Sequence, residues 1–260
     1  MKFNIKNWGI AVIVLVSLVF FNACGDSAVL GDGNLGPADG ARVKFIHAVP
    51  GGAPGVIVYA NGKKFTAVNN AVAYGSDSIA YGGVFPSTDF ALVTPGTVKF
   101  TAKLSLRDNP RDTTIASSDL NLENGKYYLL VAGDTLPTPK FTLVPEFRGV
   151  IKNDKKMYLR VVNTIAATPA TGYDIYVRRA GVPTLVATVK GGEFTDFGEY
   201  DALTSGSDSL YVRGAGATTN VALFGITGLG ANRSYTFVLR GIGVNSTGTR
   251  AINGTLYRGN

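Results

Sequence analysis

Two residues could carry acid–base or covalent chemistry, and each is the only one of its type. His47 is the only histidine, hence the only imidazole available as a general base near neutral pH. Cys24 is the only cysteine, so one chain can form neither a disulfide nor a Cys–His zinc site. A hydrolase centred on His47 would need a serine nucleophile, yet the sequence has no G-x-S-x-G elbow. We predict a structural His47, hydrogen-bonded to a loop carbonyl.

Other chemistries lack their sequence patterns. The carboxylates form no D-x-[DN]-x-[DN]-G calcium loop, and no glycine-rich stretch precedes a helical pattern as phosphate-binding loops do. The net charge of +7 is spread along the chain without a basic run, which disfavours nucleic-acid binding. We therefore predict no catalytic residues, no cofactor, no metal and no nucleic-acid partner.

The first 24 residues have the pattern of an export signal. Lys2 and Lys6 precede an apolar run, Trp8 to Phe21, that is too short for a membrane span. The sequence Phe21-Asn22-Ala23-Cys24 resembles the lipobox of bacterial lipoproteins, which implies cleavage before Cys24 and lipidation of its sulfur. An ordinary signal with a chance cysteine is the alternative. By the sorting rules of that class, Gly25 in place of Asp implies the outer membrane.

The mature chain divides into a tether and a β-rich body. We expect a signal peptide at 1–23, the lipidated cysteine and a flexible tether at 24–41, and β-sandwich repeats at 42–147 and 156–260. From Arg42 onward the apolar runs are short, β-branched or aromatic, and bounded by Gly, Pro, Asn and Asp. Val56 to Ala60 is followed by Asn61-Gly62, a strong hairpin signal, and Phe65 to Val68 is the expected return strand.

The second half repeats the pattern of the first. Leu122-x-x-Gly125-x-x-Tyr128 matches Leu229-x-x-Asn232-x-x-Tyr235, a spacing typical of the tyrosine corner in Greek-key sandwiches. The predicted fold class is therefore all-β, with two tandem immunoglobulin-like (Greek-key) sandwiches. One large sandwich or barrel is the alternative.

A family resemblance rests on the opening strands of the body. Val43-x-Phe45-Ile46-His47-Ala48-x-Pro50 and Val56-x-Val58-Tyr59-x-Asn61-Gly62 resemble the start of the domain-of-unknown-function 4397 (DUF4397) family. Pro95-Gly96 and Gly125 to Tyr128 resemble its later motifs. The resemblance implies extracytoplasmic β-sandwiches, often in tandem and often in lipoproteins, and it implies no activity.

These patterns predict a non-catalytic envelope lipoprotein that serves as a spacer, adhesion or binding module. Its anchor would be the lipid on Cys24 in the outer membrane, and its partner a glycan or an envelope protein. The alternatives are an accessory subunit of an envelope complex and a hydrolase centred on His47. Asp-Ser/Thr triplets suggest O-glycosylation at Ser27, Ser78, Thr113, Thr135 and Ser209. Aromatic residues that could line a glycan face, or more simply a core, are Tyr59, Phe65, Tyr74, Tyr81, Phe85, Phe90 and Tyr211.

Overall fold

The computed structural model describes residues 39–51, 55–66, 78–104, 113–146, 155–203, 208–226 and 228–259, and it is almost entirely β. Within those ranges the strands are β1 (Ala41–His47), β2 (Val56–Ala60), β3 (Lys63–Lys64), β4 (Val84–Phe85), β5 (Ala91–Val93), β6 (Gly96–Leu104), β7 (Thr114–Leu122), β8 (Tyr127–Gly133), β9 (Lys140–Pro145), β10 (Lys156–Asn163), β11 (Tyr173–Arg179), β12 (Val182–Val189), β13 (Gly198–Asp201), β14 (Ser209–Gly214), β15 (Asn220–Gly225), β16 (Arg233–Arg240) and β17 (Asn253–Arg258). A single 3₁₀ turn, Gly248–Arg250, is the helical element of these ranges.

The first sandwich is built from two facing sheets. One has the order β4-β1-β8-β9, with β5 also pairing to β1, and the other has the order β3-β2-β6-β7. Alternation along β6 explains the arrangement, because Val98, Phe100 and Ala102 are buried while Lys99 points to solvent. The core between the sheets also includes Val43, Phe45, Val56, Val58, Leu122, Tyr128 and Leu130.

The second sandwich uses the same pairing pattern. Its sheets have the orders β13-β10-β16-β17 and β12-β11-β14-β15. The first strand of each sandwich runs parallel to the next-to-last one, β1 to β8 and β10 to β16. The core includes Met157, Leu159, Val161, Tyr173, Ile175, Leu210, Val212, Tyr235 and Phe237.

The prediction of an all-β chain with two immunoglobulin-like sandwiches is confirmed. The strand pairing differs from that of an immunoglobulin constant domain, whose sheets are antiparallel and whose first strand lies at a sheet edge. Here β1 and β10 lie inside their sheets, each between two neighbouring strands. The exact domain limits 42–147 and 156–260 stay a prediction.

Local details differ from the sequence-based expectations. The return strand after Asn61-Gly62 is Lys63–Lys64 and not Phe65 to Val68. Phe65 and Thr66 both donate their backbone N–H to the carbonyl of Val58, which ends the ladder. The Phe65 ring instead turns inward, 5.9 Å from the ring centroids of Phe85 and Phe100. Residues 67 and 68 lie outside the described ranges, and β1 begins at Ala41, within the expected tether.

The inner sheets of the two sandwiches pack against each other. A third apolar cluster joins residues of β1, β8 and β9 to residues of β10, β16 and β17. Its buried members are Ile46, Ala48, Leu129, Val131, Val144, Val162, Val238 and Tyr257. The described part of the body belongs to one compact unit, Gly36–Asn260. The cluster joins the two sandwiches by burying apolar surface from both.

Candidate functional site

His47 ends β1 and is fully buried. Its Nδ1 accepts a hydrogen bond from the backbone N–H of Val49 at 3.3 Å, so the imidazole binds a loop N–H and not the loop carbonyl that we predicted. Its ring lies edge-on to Tyr81 with centroids 6.1 Å apart. Burial, together with the positive charge of Arg240, lowers the pKa of His47 to about 4. In this conformation a substrate cannot reach the imidazole, so the geometry gives the hydrolase alternative no support.

Asn163 occupies the equivalent position at the end of β10. Its Oδ1 accepts a hydrogen bond from the backbone N–H of Ile165 at 3.1 Å, and its Nδ2 donates to the carbonyl of Val189 at 3.0 Å. The backbone contacts match as well. His47 exchanges two backbone hydrogen bonds with Gly82 and Gly83, and Asn163 exchanges two with Gly192 and Glu193. Either side chain therefore serves the same purpose, which is to hold the chain as it leaves the first strand.

Tyr128 and Tyr235 tie equivalent turns to the strands that follow. The hydroxyl of Tyr128 accepts the backbone N–H of Glu123 at 3.1 Å, and the hydroxyl of Tyr235 accepts that of Gly230 at 2.9 Å. In both cases the donor lies five residues before the tyrosine. The intervening turns use a positive φ at Gly125 (71°) and Asn232 (59°). The two halves thus build the same corner with different turn residues.

Asn61 and Gly62 form the turn between β2 and β3. Their φ angles are 48° and 76°, which is the left-handed pair that a two-residue hairpin requires. The Asn61 side chain also accepts the backbone N–H of Lys99 at 2.8 Å, which links the hairpin to β6.

The predicted modification sites differ in accessibility. Thr113 is exposed, Ser78 and Thr135 are half-buried, and Ser209 is buried at 3% exposure. Ser27 and the lipidation site Cys24 lie outside the described residues. Glycosylation at these positions stays a prediction, and among the four described positions Ser209 is the one that a transferase could least easily reach.

Charged side chains are buried between the two sandwiches. Arg160 of β10 forms an ion pair with Glu146, and the side chains are 3% and 0% exposed. The Nε of Arg160 also donates to Thr236 Oγ1 at 2.9 Å, and its guanidinium donates to the carbonyl of Pro145. Burial lowers the pKa of Arg160, while the charge of Glu146 opposes that shift. This pair acts across the interface instead of facing a ligand.

Lys44 is the second buried cation of the interface. Its Nζ donates to the carbonyl of Thr88 at 2.9 Å and lies 5.0 Å from the ring centroids of both Phe90 and Tyr257. Because Tyr257 belongs to β17, this cation–π contact also crosses from one sandwich to the other.

A cleft of about 530 Å³ opens at one end of the interface. The first sandwich contributes Asp134, Lys140 and Phe141, and the second contributes the segments 164–170 and 190–192. Two of its threonine hydroxyls are engaged: Thr164 donates to the carbonyl of Leu239 at 2.7 Å, and Thr168 to that of Ile165 at 2.7 Å. Lys140 pairs with Asp134 at 3.5 Å. No histidine lines the cleft, so its hydroxyls have no imidazole beside them to act as a general base.

The outer sheets of the two sandwiches differ sharply in one row of side chains. In the second sandwich, cross-strand partners on β12, β11, β14 and β15 form an apolar row, namely Leu185, Tyr176, Tyr211 and Leu223. In the first sandwich the equivalent row, across β3, β2, β6 and β7, is polar: Lys64, Tyr59, Thr101 and Ser117. Leu185 and Leu223 are 49% and 58% exposed.

The centre of the apolar row is a stacked tyrosine pair. The rings of Tyr176 and Tyr211 are 5.1 Å apart between centroids and inclined by 7°. The guanidinium carbon of Arg213 lies 4.9 Å from both centroids. The first sandwich has only half of this arrangement, with Lys103 Nζ 4.8 Å from the ring of Tyr59.

The apolar row was only partly predictable. Tyr211 was among the aromatic candidates for a glycan face, whereas the other three members were not. A usable signal existed in the repeat itself, since Tyr176 aligns with Tyr59 and Arg213 takes the place of Lys103. Of the other candidates, Phe65 and Phe85 pack with the first core, Tyr81 packs under Arg240 at 4.2 Å, and Tyr74 lies outside the described residues.

Two classes of feature are missing from the described ranges. No three His, Cys, Asp or Glu side chains there are grouped closely enough to hold a metal ion. No helix in the same ranges is long and apolar enough to cross a membrane.

Comparisons with known proteins identify the family. No curated protein matches the chain. Among solved structures, a candidate cell adhesion protein from Bacteroides uniformis is 10% identical, with a TM-score of 0.26 over 84% of this chain and 98% of that one. Another from Bacteroides fragilis is 14% identical, with a TM-score of 0.20 over 84% and 96%. Likenesses this weak carry no functional argument. The model of a domain of unknown function, DUF4397, matches residues 41–172, just over half of the sequence, so the chain belongs to the DUF4397 family.

Proposed function

We propose that this protein is a non-catalytic lipoprotein of the cell envelope whose two sandwiches act as one rigid spacer and binding module. The second sandwich is a divergent DUF4397 domain in this proposal. The observation that carries the proposal is the buried interface between the inner sheets, with its apolar cluster and the Arg160–Glu146 pair. An interface of this kind favours one fixed body over two independently moving domains.

The polar groups of the body support a structural role. His47, Asn163, Tyr128 and Tyr235 are each occupied by holding a turn or strand end. A site for acid–base chemistry would instead present a titratable group to a cavity. What remains exposed and distinctive is a surface on the second sandwich, which suits binding.

The anchor is supported by the sequence. The apolar run from Trp8 to Phe21 ends at the lipobox-like Phe21-Asn22-Ala23-Cys24, and the first described strand begins at Ala41. Lipidation of Cys24 would hold the body on the outer membrane at the end of a short tether, since multiple acyl chains give stable attachment.

The anchoring test uses Cys24→Ser with Ser27→Ala as the matched control. Cells are labelled with an alkyne fatty acid and separated into membrane and soluble fractions. We expect the wild type and Ser27→Ala to be labelled and membrane-bound, and Cys24→Ser to be unlabelled and to lack signal cleavage before residue 24. Labelled, mature-sized Cys24→Ser in the membrane fraction would refute the anchor.

The spacer role needs a separate measurement. Small-angle scattering of the full-length protein in detergent should fit the two sandwiches in one fixed arrangement. Scattering that requires a broad distribution of separations between the sandwiches would contradict the rigid-module proposal while leaving the anchor intact.

A further inference from the structure

The equivalent outer sheets of the two sandwiches provide an internal comparison. Both have the same strand order and the same cross-strand partners, so the row of Lys64, Tyr59, Thr101 and Ser117 shows how this fold presents that face to water. In the second sandwich three of these four positions have become more apolar, as Leu185, Tyr211 and Leu223. With strands about 4.8 Å apart, the apolar row extends about 14 Å across the sheet. The two ends of the row are exposed, at Leu185 and Leu223, whereas Tyr176 is half-buried and Tyr211 is only 3% exposed. Exposed apolar residues rimmed by polar ones are typical of an interaction site.

The charges beside this row identify the kind of partner. Arg213 lies on one side of the tyrosine pair and Arg178 on the other, two residues along the strand from Tyr211 and Tyr176 respectively. Neither guanidinium forms an ion pair with a described residue. The Arg213 Nε donates to Asn220 Oδ1 at 2.9 Å, which leaves its other nitrogens available. The face therefore presents two positive charges around an aromatic centre.

The acidic residue of this face does not cancel those charges by pairing. Asp174 is 6% exposed, and its carboxylate accepts the hydroxyl of Thr188 at 2.5 Å and the backbone N–H of Gly216 at 2.9 Å. Its carboxylate is thus held by Thr188 of β12, in the same sheet, and by Gly216 of the turn that follows β14. A partner that meets the surface would encounter the arginines before it encounters this carboxylate.

We propose that the outer sheet of the second sandwich binds an acidic polysaccharide, with sugar rings on Leu185, Tyr176 and Leu223 of the row and sugar carboxylates on Arg178 and Arg213. An open sheet face suits a linear polymer, whereas small molecules are bound in concave pockets. Guanidinium groups match carboxylates in planar, bidentate geometry. The inference rests on the proposed binding role and is independent of the lipid anchor.

The test measures binding of an alginate hexasaccharide, a chain of uronic acids, with maltohexaose as the neutral probe. Full-length protein in a polyoxyethylene detergent is titrated calorimetrically at low and high salt. We expect binding of the alginate probe only, and weaker binding at high salt because exposed charge pairs are screened. Arg178→Gln and Arg213→Gln should each weaken binding between about threefold and tenfold, as for one charge-assisted contact.

The first sandwich supplies the matched controls. Tyr59→Ala and Lys103→Gln alter the equivalent tyrosine and cation of the polar row and should leave alginate affinity unchanged. Tyr176→Ala should weaken it. Because Tyr176 is only half-buried, circular dichroism and thermal melting will show whether that variant remains folded. Leu223→Asn, at a 58% exposed position, removes apolar surface without adding charge and should also weaken alginate binding without disturbing the core.

Three outcomes would overturn the proposal. The first is no alginate binding by the wild-type protein, and the second is equal loss in the control variants of the first sandwich. The third is self-association, seen in sedimentation experiments, that Leu185→Lys and Leu223→Lys abolish while alginate affinity stays unchanged. The row would then bind a second copy of this chain. None of these outcomes bears on fatty-acid labelling at Cys24, so the two proposals fail separately.

Discussion

His47 and Asn163 accept the same hydrogen bond at the same point of the two sandwiches. Each ends the first strand of its sandwich and accepts the backbone N–H of the residue two positions later, at 3.3 Å and 3.1 Å. Imidazole and carboxamide are thus interchangeable here as acceptors. Only the imidazole can titrate, which gives the first sandwich a pH dependence that the second lacks at this position.

We expect His47 to destabilise the folded protein as the pH falls from about 6.5 to about 4. Its pKa is lowered to about 4 in the folded state, so in this window the unfolded chain binds a proton that the folded chain does not. The contribution of His47 to the free energy of unfolding should therefore be fully present above pH 6.5. It should decrease on acidification, by up to about 3 kcal/mol. Urea unfolding at several pH values will measure this change.

His47→Asn is the control because it copies the residue of the second sandwich. Whatever its baseline stability, its free energy of unfolding should vary less between pH 6.5 and 4 than that of the wild type. Parallel pH profiles for the two proteins would show that His47 does not titrate in the way its burial implies.

The two tyrosine corners should contribute similar stabilities. Tyr128→Phe and Tyr235→Phe each remove one hydroxyl acceptor from a backbone N–H, at Glu123 and Gly230. Each substitution should lower the free energy of unfolding by about 1 kcal/mol. Tyr59→Phe, whose hydroxyl has no hydrogen bond to a described residue, should have little effect in the same urea titrations. A loss for Tyr59→Phe as large as for the corners would contradict this assignment.

The buried pair between the sandwiches should be sensitive to loss of one partner. Glu146→Gln leaves the guanidinium of Arg160 without its carboxylate in a buried interface, and we expect a loss of about 3–5 kcal/mol. The double variant Glu146→Leu/Arg160→Met removes both charges and should recover much of that loss. Asp201→Asn, in an exposed pair with Lys156, should change the urea midpoint little. If the double variant loses as much stability as its two single substitutions added together, the two charges do not interact.

The sequence was most informative where local patterns decide the structure. Alternation along β6, the Asn61-Gly62 turn and the Tyr128 and Tyr235 spacings all depend on residues near each other in the chain. The family resemblance carried by the opening strands was confirmed by the match to residues 41–172.

The apolar row and the buried charges were not predictable in the same way. Leu185, Tyr176, Tyr211 and Leu223 are separate residues in the sequence and become a row only through the pairing of four strands. Likewise, nothing in a single strand reveals that Lys44 or Arg160 is buried, because their outward faces are covered by the other sandwich. Such features depend on contacts between distant segments, which one sequence does not specify.

Gly133 should be essential for the close approach of the two sandwiches. A Cβ at this position would lie 2.9 Å from Cγ2 of Thr164 in the second sandwich and still closer to its Cβ. The next residue, Asp134, donates its backbone N–H to the carbonyl of Thr164 at 3.2 Å. The two segments therefore cannot separate at this point without losing that bond. Gly133→Ala should therefore strain the interface and lower the free energy of unfolding by about 1–3 kcal/mol, the usual cost of overpacking.

Gly225→Ala is the matched control, since its added Cβ meets nothing within 4 Å. If Gly133→Ala melts and scatters like Gly225→Ala, the inner sheets do not approach as closely as these contacts require, and the rigid-module proposal loses its main support.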